Sequence, residues 1–80
     1  MSERHAKIGE REDYRVRLKC VETEICALRD SLRAALPLTA DAWELAGDHV
    51  VTLAITLNER LAELKGLASK VDILTRDLEG

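Results

Sequence analysis

The chain has 80 residues, with 12 Lys and Arg against 15 Asp and Glu and a formal charge of −3, which bounds it to one small domain. Hydrophobic residues make up 46% of the chain, yet Tyr14 and Trp43 are its only aromatic residues and there are only 4 Gly and 1 Pro. That balance excludes a β-sandwich or barrel built on many tight turns and calls for long helices around an aliphatic core.

No segment approaches the roughly 18 consecutive apolar residues of a membrane-spanning helix. The opening Met1-Ser2-Glu3-Arg4-His5 lacks the apolar stretch of a secretory signal, so the expected location is cytoplasmic. Residues 1–9 are polar and aperiodic and read as a lead-in, or as an extra stretch of helix.

Helix 1 is expected over residues 10–36. Tyr14, Leu18, Val21, Ile25, Leu28, Leu32 and Ala35 alternate steps of four and three, a heptad seam. Asp13, Arg15, Arg17, Lys19, Glu22, Glu24, Arg29, Asp30 and Arg33 occupy its solvated outer positions, with Asp13 and Arg17 spaced for a pair along the helix. Cys20 and Cys26 lie about 120° apart around the axis and cannot bridge within the helix. They are expected to be small, partly buried thiols.

Pro37 keeps Leu36 out of the α conformation, which predicts a turn over residues 37–41. Asp41 with Glu44 then reads as a capping box that starts helix 2 over residues 42–78. So short a connection returns the second helix antiparallel to the first.

The expected seam of helix 2 is Trp43, Gly47, Val50, Ala54, Leu57, Leu61, Leu64, Ala68, Val71, Thr75 and Leu78. Gly47, Ala54, Ala68 and Thr75 form a small-residue row that admits close approach by another helix. A third row, Ala46, Leu53, Leu67 and Leu74, is broken by Arg60. One partner helix cannot cover three rows. At 1.5 Å per residue helix 2 would also overhang helix 1 by about 15 Å, unless residues 3–9 extend the first helix. Residues 1–36 carry a net charge of +1 and residues 37–80 a net charge of −4, a weak attraction between the halves.

Few residues offer chemistry. Asp48 and His49 diverge by about 100° on a helix and cannot converge on one atom or act as a paired metal site. Glu59 and Glu63 have the spacing used in di-metal bundles but lack the Glu-x-x-His pair those sites add. There is no phosphate-binding glycine loop and no nucleophile elbow. The chain therefore reads as a non-enzyme without cofactor or metal. Arg11, Arg15 and Lys19 make a basic strip on helix 1, the basis of an alternative reading as an RNA-binding regulator. Glu12, Asp13, Glu22 and Glu24 flank that strip.

The expectation is an all-α antiparallel two-helix hairpin that dimerises into a four-helix bundle and works as a small protein-interaction module: an adaptor, regulator or co-chaperone. Its partners are a second copy of itself and, beyond that, another helical protein. The expected interface residues are Trp43, Val50, Val51, Leu53, Ala54, Ile55, Leu57, Leu61, Leu67 and Leu74.

Overall fold

The computed structural model describes residues 3–79 and is an antiparallel hairpin of two helices, α1 over Glu3–Ala35 and α2 over Gly47–Glu79, each of 33 residues. It measures 62 × 16 × 14 Å with a radius of gyration of 18.2 Å. A compact chain of this length would have about 12 Å, so the molecule is a rod. Among the described residues no helix is long and apolar enough to cross a membrane.

The α1 seam holds as read. Tyr14, Leu18, Ile25, Leu28, Leu32 and Ala35 are half-buried and Val21 is fully buried. The helix starts earlier than residue 10, because Lys7, Ile8 and Arg11 continue the same face toward the N-terminus and are half-buried too. Its first turns are tied across the hairpin. The Arg4 guanidinium donates to the Leu78 carbonyl at 2.9 Å, and Lys7 Nζ lies 3.7 Å from Asp77 Oδ2. Two helices of equal length leave no overhang.

Pro37 ends α1 as expected. The Leu36 N–H still reaches the Leu32 carbonyl at 3.0 Å, and the helix stops there. The connection is longer than a turn over 37–41, and α2 begins at Gly47 rather than at residue 42. Asp41 and Glu44 close a single 3₁₀ turn, Ala42–Glu44, through the Glu44 N–H to Asp41 carbonyl bond at 2.9 Å. No side-chain cap bond from Asp41 forms. Leu45 then adopts an extended backbone, and the Val50 N–H to Ala46 carbonyl bond at 3.0 Å opens α2. Asp48 sits in that first turn, where the helix dipole favours a carboxylate. Trp43, expected on the seam of helix 2, thus lies outside it.

The rows of α2 are also used differently from the expected seam. Facing α1 are Val50, Leu57, Leu64, Val71 and Leu78, together with the side row Leu53, Arg60, Leu67 and Leu74. The small row turns outward: Gly47, Ala54, Leu61 and Ala68 are exposed and only Thr75 is half-buried. The reason is volume. With three apolar rows and one partner helix, the two rows richest in large side chains bury the most area. The buried hydrophobic side chains among the described residues are Val21, Leu67 and Leu78, a core one layer deep.

Candidate interaction surface

The two edges of the hairpin differ. On one edge four side chains form an ion-pair network across the helices. Arg17 Nε donates to Glu63 Oε2 at 2.7 Å, Arg60 Nη1 lies 2.8 Å from Glu63 Oε1, and Glu24 stands 3.8 Å from both Arg17 and Arg60. The Arg17 hydrogen bond is the main cause that holds the Glu63 carboxyl below its ordinary range, with the charges of Arg17 and Arg60 adding to it. Burial works in the opposite direction. The same hydrogen bond raises the Arg17 guanidinium above its ordinary value. Arg17 therefore spans the hairpin instead of pairing with Asp13, and Glu63 is not a free acidic face. Further along this edge Lys70 Nζ lies 5.2 Å from the centroid of the Tyr14 ring.

Among the described residues the other edge carries no such four-membered network. Here α1 presents Arg15, Glu22 and Arg29, all exposed, beside the outward row Gly47, Ala54, Leu61 and Ala68 of α2. Behind that row lie Val51 and Ile55, 57% and 54% exposed, while Leu61 is 36% exposed. Thr52 and Thr56 donate their hydroxyls to the carbonyls of Asp48 and Thr52 at 3.0 and 3.1 Å, which satisfies both groups inside the helix. Around the connection Leu36, Leu38, Trp43 and Leu45 are exposed, Trp43 at 98%. This end and the adjoining half of α2 thus both display apolar side chains, with Asp48 and His49 exposed between them.

The expected interface set therefore splits. Val50, Leu53, Leu57, Leu67 and Leu74 pack against α1 inside the hairpin, whereas Trp43, Val51, Ala54, Ile55 and Leu61 are displayed. The basic strip does not stand as a free row of cations. Arg11 is half-buried, and both Arg11 and Arg15 pair with Glu12, at 3.8 and 2.8 Å. Lys19 is exposed. Cys20 and Cys26 are exposed and unbridged rather than partly buried. Asp48, His49 and Glu59 are exposed on α2. Among the described residues no group of three or more His, Cys, Asp or Glu side chains is placed to hold a metal ion.

The total accessible surface is 6084 Å². A compact monomer of this mass exposes about 4,800 Å², and a standard interface removes about 800 Å² from each partner. The rod thus has surface to spare for a full interface. Comparison with protein-family models, with curated proteins and with solved structures finds no match.

Proposed function

We propose that the chain is a non-enzymatic interaction module that works as a homodimeric four-helix bundle, with the displayed face of α2 as the dimer surface. The observation that carries this reading is the exposed strip of Val51, Ala54, Ile55 and Leu61 on the side of α2 away from the Arg17–Glu63 network. A strip of this kind costs free energy in water and gains it when another apolar helix covers it. Once two copies have met through α2, the connection with Leu38, Trp43 and Leu45 offers an apolar tip to a further protein. An adaptor, regulator or co-chaperone uses such a surface.

The nucleic-acid reading has less support, because Arg11 and Arg15 direct their charge to Glu12. Light scattering at micromolar concentration tests the dimer. The expected mass is twice that of the chain, and Val51→Asp, which places a carboxylate on the strip, is expected to return it to the monomer mass with its helices intact. A well-folded wild-type monomer at all concentrations would overturn the reading. For the tip, a partner captured from native extract by the wild type is expected to be lost from Leu38→Ser/Trp43→Ser. Undiminished capture by that variant would remove the tip from the proposal.

A further inference from the structure

We infer that the two copies meet α2 against α2 in antiparallel orientation, about a two-fold axis at Asn58. This arrangement presupposes the homodimer proposed above and narrows it to one geometry. It follows from the layout of the displayed face. Val51, Ala54, Ile55, Asn58, Leu61, Ala62 and Lys65 are all exposed on α2. Ala54 and Ile55 precede Asn58 by four and three residues, Leu61 and Ala62 follow it by three and four, and Val51 and Lys65 lie seven residues to either side. Side-chain size mirrors about Asn58, with a large aliphatic residue three positions away and an alanine four positions away on either side. An antiparallel copy centred there sets Ile55 against Leu61 of the other copy, Ala54 against Ala62, and Val51 along the aliphatic stem of Lys65. The alanines let the two backbones approach, and the larger side chains fill the flanks.

Asn58 is the one polar side chain in the middle of this strip. Its amide has both a donor and an acceptor, so across a two-fold axis it pairs with its own copy, and in a register shifted by three or four residues it faces an apolar neighbour. A polar residue at such a position selects register at some cost in stability.

Charge separates the two orientations. A parallel pair would bring Asp48, Lys65 and Asp72 each beside its own copy, which is repulsive at every level. In the antiparallel pair Lys65 lies level with Val51 of the other copy, about 4.5 Å along the axis from Asp48. From Ala34 to Glu59 the chain carries Asp41, Glu44, Asp48 and Glu59 but no Lys or Arg. The antiparallel pair thus sets Lys65 of the other copy beside a stretch whose charges are all acidic.

Cysteine crosslinking tests the axis. With Cys20 and Cys26 replaced by Ser, single cysteines are placed at exposed positions as Val51→Cys, Asn58→Cys and Lys65→Cys, and helix content is checked by circular dichroism. Asn58→Cys is expected to form a disulfide with its own copy. Val51→Cys alone and Lys65→Cys alone are expected to form none, since each lies about 21 Å from its own copy, far beyond the roughly 5.5 Å that a disulfide spans between Cα atoms. A mixture of Val51→Cys and Lys65→Cys, which keeps Asn58, is expected to give the mixed disulfide. Self-crosslinking at all three positions would establish a parallel pair and overturn the inference. A dimer by light scattering that gives none of these crosslinks would also overturn it, while leaving the dimer standing. A monomer by light scattering would overturn the dimer itself.

Discussion

Arg17 and Glu63 stand 2.7 Å apart at equivalent heptad positions on opposite helices, each flanking the apolar seam on the same edge of the hairpin. In an antiparallel pair of helices these flanking positions meet like to like, so opposite charges there favour this alignment over a shift of one turn. Arg60 and Glu24 complete the cluster. The cluster is partly solvated, and such pairs contribute more to alignment than to stability.

The pH dependence follows from the sign of the Glu63 shift. The folded carboxyl sits below its unfolded value. Its contribution is therefore complete above the unfolded value, near 4.3 for Glu, and is lost as the pH falls through the lower folded value. The raised Arg17 value adds nothing to acid sensitivity, because that guanidinium is charged throughout the range. Urea unfolding of wild type and Glu63→Gln should differ at neutral pH and converge as the pH falls below the ordinary carboxylate range and through the lowered folded value. A gap that stays constant through the acid range in which the fold persists would exclude the Arg17–Glu63 bond as its source.

Arg60 occupies a seam position in the row of Leu53, Leu67 and Leu74, and its Nε is buried without a hydrogen-bond partner. Arg60→Leu restores the apolar row and leaves Glu63 bound to Arg17. We expect the hairpin to gain about 1 kcal/mol, read as a higher urea midpoint at fixed protein concentration. A lower midpoint would mean that the Arg60 contacts outweigh the burial of a leucine.

Val21 is the one described side chain with no exposure, and it lies at mid-length of a core one layer deep. Removing its two methyl groups leaves a gap that neighbours on only one other helix can close. Val21→Ala should cost about 2 kcal/mol, whereas Val16→Ala, at a site 65% exposed, should change stability by less than about 0.5 kcal/mol. Equal effects at the two sites would contradict the assigned faces of α1.

Gly9 and Gly66 sit inside helices, and a Cβ added to either meets no atom within 4 Å. Glycine in a helix interior costs about 0.5–1 kcal/mol relative to alanine. Gly66→Ala should therefore raise the melting temperature without altering the oligomeric mass. A drop would show that something packs against this position.

The hairpin and the inner face of α1 were legible in the residues because only one row pair on α1 is apolar, which leaves a single way to bury it. The rows of α2 were not, since three apolar rows satisfy the same periodicity, and the choice among them depends on which pair fits the partner helix. The connection misled for another reason. Asp41 and Glu44 have capping chemistry, but they close a 3₁₀ turn whose next residue, Leu45, is extended. Part of the candidate surface was legible: Val51 and Ile55 lie off the expected rows and are apolar beyond what α1 could cover, whereas Leu61 reads as a seam residue. The Arg17–Glu63 bond was visible in principle, once both helices were written in one antiparallel heptad frame.

The Arg4 bond to the Leu78 carbonyl joins the two helices at the end away from the connection, so residues 3 and 79 lie together at one end of a rod 62 Å long. Load applied through that end would fall on one cross-link at a time. The hairpin would peel open from Arg4 and Lys7 toward Pro37 like a zip, yielding at low force. Load applied between the two ends of an antiparallel bundle would instead shear the full length of α2 at once. The fold would then resist tension along its axis far better than separation of its chain ends.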